Sequence, residues 1–380
     1  MSNETSERGA PERAEDSARV KNYHRTGRVL GVAGYLVDLA LLLILLFTGW
    51  TVALRTVAWH YTPRPWLALL IYLGLFGIIT QVAGLPCDYL RGFWLEHRYE
   101  LSNLTLAGWA KDQLKGLAVG GTLAALALEF LYAAMRHWPQ GWWIVCAIVF
   151  MGFFVLLANL APILIFPIFF KFKPLDNPSL EERLLELSRR ARTRVKGVFE
   201  WKLSEKSKKA NAALMGLGNT RRIVLSDTLL AQFQDEEVEA VLAHELGHHV
   251  HRHILQSVVV RGATTMMGFY LIRRTLDWLG PHFGFQGAAD FANLPLLALV
   301  ATILSLLLLP AVNSYSRALE RQADAYALRA IPSRAPFISS MEKLADLNLA
   351  ERRPHPWIEF VFHSHPSIQK RIAFAQKFPA

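Results

Sequence analysis

The densest chemistry in the chain lies in the run AVLAHELGHHVHRH, residues 240–253. Within it, His244-Glu245-Leu246-Gly247-His248 fits the pattern H-E-x-x-H. On an α-helix, residues four apart lie on one face, so His244 and His248 can direct two imidazole nitrogens at one ion. Zinc suits such ligands, and Glu245 stands beside the first of them, where it can act as general base toward a water molecule. The spacing therefore predicts a catalytic zinc site.

The residues around this motif predict the element that must position it, an amphipathic helix. Residues 235–237 are acidic, as the first turn of a helix favours. Apolar residues then recur on one face, namely Val238, Val241, Leu242, Leu246 and Val250. A charged start of this kind indicates a helix at the membrane edge, outside the hydrocarbon layer. We expect His249, His251 and His253 to be solvated or to face lipid headgroups.

A catalytic zinc requires a third protein ligand, and the best candidate is Glu320. Its segment ALERQAD, residues 318–324, contains neither Gly nor Pro, so Glu320 and Asp324 would share a helix face. Glu320 can bind zinc directly, and Asp324 can hydrogen-bond a ligand imidazole. The alternative is an ordinary solvated acidic face, and the spacing alone leaves both interpretations open.

Composition indicates a polytopic membrane protein. The chain has 380 residues, 52% of them hydrophobic, with the excess concentrated in long apolar runs. The net charge of +10 comes from basic residues beside these runs, which favours anionic lipid over nucleic acid as the partner. The two cysteines, Cys87 and Cys146, lie in or next to apolar runs and predict neither a disulfide framework nor a cysteine metal site.

About six membrane spans are expected, at residues 29–54, 66–85, 114–135, 142–168, 254–279 and 291–312. Arg261 interrupts the fifth. The basic residues flanking the spans place both termini and both soluble blocks in the cytoplasm by the positive-inside rule. The fold class is therefore mainly α: a polytopic helical membrane protein with a small α+β, zincin-like metallopeptidase domain split around two spans.

The expected organisation follows the chain in five parts. Residues 1–28 form a disordered cytoplasmic N-terminus, and 29–170 a four-span region with an amphipathic surface loop at 91–115. Residues 171–253 carry the first cytoplasmic block, 254–312 two further spans, and 313–380 the second cytoplasmic block. Within the first block we expect a helix at 177–196 capped by Ser179, and strands at 198–203, 211–217 and 222–225. Gly218-Asn219 predicts a hairpin between the last two.

An alternative function class rests on polar residues inside the spans, namely Asp38, Glu129, Asn159 and Arg261. Such residues often mark ion or substrate pathways. They leave open a non-proteolytic membrane scaffold or transporter with a vestigial or structural zinc site.

The H-E-x-x-H motif followed by Glu320 and Asp324, with spans before and between, resembles the CAAX prenyl protease type I family. Asn211-Ala212 with the segment 221–230 is similar to the family's substrate-strand region, and His365-Pro366 with Arg371-Ile372 to its C-terminal motif. The similarity runs from Trp66 to Phe374 and is most specific at residues 211–248 and 320–371.

The resemblance implies an integral-membrane zinc metalloendopeptidase that acts on peptides or membrane proteins. It implies that His244, His248 and Glu320 bind one zinc ion and that Glu245 activates water. Its other implied roles are oxyanion stabilisation by Asn211 and His365, pairing of Arg371 with Asp324, and capture of an extended peptide along the edge strand Ala212, Ala213, Leu214 and Met215. A plain hairpin in a small sheet would also account for that strand.

The chain departs from the eukaryotic members of the family, which have seven spans around a large chamber. We count six, with the missing span N-terminal, so recognition of a prenyl group stays open. The compact length favours a bacterial plasma membrane and general turnover of membrane proteins, or the endoplasmic reticulum membrane if the source is eukaryotic. No oligomeric state is predicted.

Overall fold

A computed structural model describes residues 9–216 and 218–379. The first half contains the helices α1 (Gly9–Phe47), α2 (Trp50–Tyr61), α3 (Pro65–Tyr89), α4 (Leu106–His137) and α5 (Trp142–Leu160). Short helical segments extend α3 through Leu90–Trp94 and Leu95–Arg98, and α5 through Ala161–Ile165 and Phe166–Phe169. The second half contains β1 (Phe172–Pro174), α6 (Pro178–Arg190), β2 (Val198–Trp201), β3 (Ala212–Met215), β4 (Arg222–Ser226), α7 (Asp227–Leu230), α8 (Asp235–Val250), α9 (His253–Leu279), α10 (Leu294–Ala330), α11 (Ala335–Leu347), α12 (Pro356–Phe362) and α13 (Ile368–Lys377).

Six long helices form a closed ring, in which α1 packs on α3, α3 on α4, α4 on α5, α5 on α9, α9 on α10 and α10 on α1. Five stretches are long and apolar enough to cross a membrane, namely Ala18–Phe47, Pro65–Arg98, Leu106–His137, Trp142–Phe169 and Phe291–Ala330. The sixth wall, α9, falls outside this apolar set because it carries Arg261, Arg273, Arg274 and Asp277. The expected six spans are therefore five apolar spans and one charged helix.

The ring is not packed solid. A solid bundle would bury one face of every helix, yet no more than 17% of any apolar window is buried. The buried residues instead form two separate cores, one around the ends of the membrane helices and one in the α+β domain. Helix α10 starts in the first core at Leu297 and reaches the second at Ala327, a rise of roughly 45 Å.

The prediction that residues 1–28 are disordered is wrong for the part that the structure describes, since α1 begins at Gly9; residues 1–8 lie outside the described range. The segment is rich in Ala, Glu and Arg, which propagate a helix once the adjoining apolar run has nucleated it. It also has partners: the Tyr23 hydroxyl donates to Glu96 (2.7 Å) and Arg28 pairs with Glu351 (2.9 Å).

Three further boundaries differ from expectation. The first predicted span is two helices, because Gly49 adopts a left-handed φ of 75° and breaks the chain between α1 and α2. The amphipathic loop at 91–115 is largely helical, since its start continues α3 and Thr105 caps α4 by accepting from the Gly108 amide. Helix α6 is capped by Asn177 and not by Ser179, because Pro178 takes the first helical position.

The small sheet has the strand order β1-β2-β4-β3, so β3 is an edge strand. It runs antiparallel to β4, with Ala212 opposite Leu225 and Met215 opposite Arg222, which confirms the hairpin. The strand is shorter than expected, and Leu217 lies outside the described residues. Strand β2 ends at Trp201, two residues before its predicted end, and pairs in parallel with β4.

Candidate metal centre

The H-E-x-x-H motif lies on α8, and its local sequence explains the helix. Gln234 and Glu237 form a reciprocal capping box: the backbone N–H of Gln234 donates to the Glu237 carboxylate at 2.8 Å, and the Gln234 side chain accepts from the backbone N–H of Glu237. Apolar residues such as Leu242 and Leu246 are fully buried in the core of the α+β domain. The helix is thereby fixed at its start and along one face, which leaves the motif directed at α10.

Helix α10 leaves the membrane region and continues into the α+β domain, where it carries Glu320 and Asp324. It crosses α8 closely because Gly247 has no side chain. A Cβ added at Gly247 would lie 2.9 Å from Ala323 Cα and 3.0 Å from Ala323 O. The point of closest approach therefore falls between the two histidines on one helix and between the two acids on the other.

The structure brings His244, His248 and Glu320 into one cluster, with ligand atoms all within 4.8 Å of one another. His244 Nε2 lies 3.3 Å from His248 Nε2 and 3.3 Å from Glu320 Oε2, and His248 Nε2 lies 3.4 Å from Glu320 Oε1. In a tetrahedral site with bonds of about 2.0–2.1 Å, ligand atoms lie roughly 3.3–3.4 Å apart. The two histidine nitrogens lie at this spacing, and the two Glu320 distances reach different oxygens of one carboxylate. Two imidazoles and a carboxylate are the donor set of a zinc site with three protein ligands, so these residues fit that ion.

A buried charge pair holds the first histidine. His244 Nδ1 lies 2.8 Å from Asp324 Oδ1, and Asp324 accepts two further bonds from Arg371 on α13, at 2.9 and 2.6 Å. The side chains of Asp324 and Arg371 are only 1% and 9% exposed. A bidentate, hydrogen-bonded pair is the arrangement in which two buried charges are best tolerated. The predicted Arg371–Asp324 pairing is thus present in the structure.

The two ligand imidazoles, those of His244 and His248, have pKa values shifted in opposite directions. Burial and Arg371 lower the pKa of His244, but the carboxylates of Asp324 and Glu320 outweigh them and raise it to about 9. Burial and the neighbouring His244 lower the pKa of His248 to about 4. The carboxylates therefore favour the charged form of the His244 imidazole, whereas burial and the neighbouring His244 favour the neutral form of the His248 imidazole.

Glu245 lies beside the edge strand. Burial and the nearby Glu320 carboxylate raise its pKa, although the positive charge of His244 and a hydrogen bond with the Leu214 backbone act in the opposite direction. A raised pKa suits a general base that must take up a proton and later release it. His249, which we expected at the solvent or headgroup side, instead lies half-buried and hydrogen-bonds the Leu214 backbone.

Of the two predicted oxyanion donors, His365 contacts a metal-ligand residue, whereas Asn211 contacts the neighbouring strand. His365 Nδ1 lies 2.8 Å from Glu320 Oε2, with its side chain 60% exposed. The loop before it is held by Arg317, one turn ahead of Glu320, which donates to the carbonyls of Glu359 (2.9 Å) and His363 (2.6 Å). Asn211 stands at the start of β3, where its backbone pairs with Ser226 and its side chain is exposed.

Two contributors to the site escaped the sequence analysis. His253 was expected at a solvated position but is 3% exposed, with its Nδ1 2.9 Å from His248 Nδ1. Nothing in the sequence indicated that Arg317 binds backbone carbonyls, because the carbonyls it contacts lie more than 40 residues further along the chain. For His253, the spacing of five residues after His248 across a helix end was the only available hint.

Two of the polar residues noted in the predicted spans contact neighbouring elements. Asn159 accepts from the Thr220 hydroxyl at 3.0 Å and so ties α5 to the turn between β3 and β4. Arg261 lies over the Phe154 ring, 5.2 Å from its centroid.

Comparison with known proteins decides the family. Residues 174–378 match the model of Peptidase family M48, and residues 12–171 match the model described as CAAX prenyl protease N-terminal, five membrane helices. The chain belongs to peptidase family M48. It is therefore a multi-pass membrane metallopeptidase, and the scaffold or transporter alternative is not favoured.

Several relatives support this family. The chain is 30% identical to the uncharacterized metalloprotease YhfN of Bacillus subtilis, over 96% of this chain and 85% of that protein. It is 27% identical to CAAX prenyl protease 1 of Saccharomyces cerevisiae, over 80% of this chain and 71% of the yeast protein. The crystal structure of S. mikatae Ste24p shares the fold, with a TM-score of 0.85, 24% identity, and coverage of 95% of this chain and 89% of that one.

Proposed function

We propose that this metallopeptidase is a zinc-dependent endopeptidase that hydrolyses peptide bonds near the cytoplasmic membrane face. The observation that carries the proposal is the convergence of His244, His248 and Glu320, whose ligand atoms lie within 4.8 Å of one another, with Glu245 next to them in the motif. These three side chains would hold the zinc ion. Bound there, zinc would polarise the scissile carbonyl and acidify a water molecule.

The protein's own residues would carry the remaining steps. Glu245 takes a proton from the attacking water on its carboxylate and later delivers it to the leaving amine. Asp324, held by Arg371, keeps the His244 ring oriented. His365 and Asn211 would donate hydrogen bonds to the oxyanion of the tetrahedral intermediate, where preorganised donors contribute most.

The substrate would lie as an extended strand along β3, contacting Ala212, Ala213, Leu214 and Met215. Two observations support this placement. Strand β3 is the sheet edge, and the Leu214 backbone hydrogen-bonds Glu245, so a peptide on this edge would pass beside the general base. The outward-facing backbone groups of the strand would then fix the peptide, while its side chains tune sequence preference.

We further propose the bacterial plasma membrane as the location and quality control of membrane proteins as the task. Basic residues beside the spans support a cytoplasmic active site. The similarity to the Bacillus protein over 96% of this chain supports the bacterial assignment.

The test is Glu245→Gln in the purified full-length protein, assayed with an unstructured reporter peptide and by metal analysis. We expect zinc content equal to the unmodified protein and a loss of peptidase activity. Glu236→Gln is the matched control, because Glu236 lies on the same helix with its side chain 55% exposed. Full activity in Glu245→Gln would refute the assigned base. Proteomics of cells that express this variant should then reveal accumulated membrane-protein substrates.

A further inference from the structure

The two histidines of the metal centre have different outer partners. His244 Nδ1 contacts a carboxylate, that of Asp324. His248 Nδ1 instead lies 2.9 Å from His253 Nδ1, and His253 Nε2 lies 3.1 Å from Gln322 Oε1. His253 is 3% exposed. A line of polar atoms therefore runs from the centre through two imidazoles to a side-chain amide on α10.

The directions of these hydrogen bonds are fixed from both ends. His248 Nε2 faces the other ligand atoms, so when it binds a cation the ring proton must be on Nδ1. That proton is donated to His253 Nδ1, which must then be an acceptor with its own proton on Nε2. Nε2 in turn donates to Gln322 Oε1, which as an amide oxygen can only accept. Both ends require the same tautomers.

The chain adopts an unfavourable backbone conformation to place His253 here. Helix α8 ends at Val250, and Arg252 takes a left-handed φ of 55° before α9 begins at His253. A non-glycine residue in this region is uncommon and strained. The tight reversal folds His253 back over His248, where its ring packs edge-on at 5.0 Å between centroids. Gln322, two residues after Glu320, completes the contact from the other ligand-bearing helix.

We propose that His253, backed by Gln322, is the positioning residue for the metal ligand His248. Its imidazole accepts the His248 Nδ1 proton, fixes the ring orientation and directs Nε2 at the metal. This inference rests on the proposed zinc site. Outer partners of this kind typically change metal affinity about 10–100-fold.

The experiment measures zinc affinity of the purified full-length protein in detergent, by competition with a chromophoric chelator, and the thermal midpoint of the metal-free form. We expect His253→Ala to weaken zinc binding about 10–100-fold. His253→Asn should recover part of the loss, since its amide oxygen can still accept. His251→Ala is the matched control, because His251 stacks on His253 at 5.6 Å without joining the hydrogen-bonded line.

Unchanged affinity in His253→Ala, or an equal loss in His251→Ala, would overturn the assignment. If His253→Ala fails to fold, Gln322→Leu decides: we expect weaker zinc binding with an unchanged metal-free midpoint, and unaltered affinity would count against the role. The outcomes separate the two proposals. An unmodified protein that binds no zinc refutes the metal site itself, whereas normal zinc binding in every variant refutes only the part assigned to His253.

Discussion

The Asp324–Arg371 pair gives the sharpest test of how the metal centre is held together. Asp324→Asn preserves the shape of the side chain but removes its charge. Arg371, whose side chain is 9% exposed, then lacks its carboxylate partner, and His244 loses a charged acceptor. Although burial raises the pKa of Asp324, Arg371 and His244 lower it overall, so the native carboxylate is ionised at neutral pH.

The size of the effect follows from the burial of the pair. Removing one partner of a buried ion pair costs about 3–5 kcal/mol. The asparagine oxygen can still accept one hydrogen bond, so we expect the lower end, about 3 kcal/mol. For a domain the size of residues 174–378, this corresponds to a fall in thermal midpoint of about 6–12 °C. Zinc affinity should fall about 10–100-fold as His244 loses its orienting partner.

The assay is thermal unfolding of the purified protein in detergent at one scan rate, with chelator and with excess zinc. A double-mutant cycle of Asp324→Asn and Arg371→Met measures the interaction energy between the two side chains. Asp324→Asn leaves the Arg371 charge buried without its carboxylate, and Arg371→Met removes that charge. We expect the double variant to be less destabilised than the sum of the single changes. Asp346→Asn is the control, since its ion pair with Arg352 involves an Asp346 side chain that is 71% exposed.

Two results would refute the reasoning. The first is a midpoint for Asp324→Asn that matches the unmodified protein both with chelator and with zinc. The second is strict additivity in the cycle, which would mean that Asp324 and Arg371 contribute independently despite their contacts at 2.6 and 2.9 Å.

Three further predictions concern the supports of the site. Gly247→Ala should push α8 away from α10 and lower zinc content, whereas Gly74→Ala, where an added Cβ meets nothing within 4 Å, should not; equal zinc contents would contradict the close-approach argument. Arg317→Ala should lower kcat more than it raises KM, because the segment that presents His365 loses the guanidinium that donates to its carbonyl oxygens, and Arg317→Lys should recover part of the rate. An unchanged kcat in Arg317→Ala would remove this role. Burial raises the pKa of Glu237, but hydrogen bonds and charge from its partners, chiefly Lys343, lower it overall, below the ordinary 4.5. The ionised Glu237 carboxylate therefore stabilises the fold above pH 4.5, and this stabilisation is lost as pH falls through the lower pKa of the folded protein. Unfolding midpoints measured against pH should therefore decline more steeply below pH 4.5 in the unmodified protein than in Glu237→Gln, and identical slopes would show that this carboxylate does not contribute.

The sequence predicted the parts of the site that depend on a single helix. Helical periodicity alone put His244 and His248 on one face, and an acidic first turn correctly predicted where their helix begins, at Asp235. The same periodicity put Glu320 and Asp324 on one face of a second helix. Residue spacing does not predict that these two helices are in contact. Glu320 comes 72 positions after His248, and no local rule fixes how the two helices cross. The family resemblance filled that gap.

Errors in the prediction arose where a distant partner overrides local composition. Residues 9–28 have the composition of a disordered segment, yet the adjoining span nucleates their helix and Glu96 and Glu351 supply partners. The charged helix α9 looks like a poor span, but it completes the ring between α5 and α10.

The sequence by itself determined the class of protein and the identity of the chemical groups, because apolar run length and helical spacing are local properties. Only the tertiary structure decided which groups meet: the glycine contact at Gly247 that brings two helices together, the ion pair that orients His244, and the reversal at Arg252 that buries His253. The physical reason is that hydrogen-bond partners and burial depend on packing between segments far apart in the chain, which composition and periodicity do not encode.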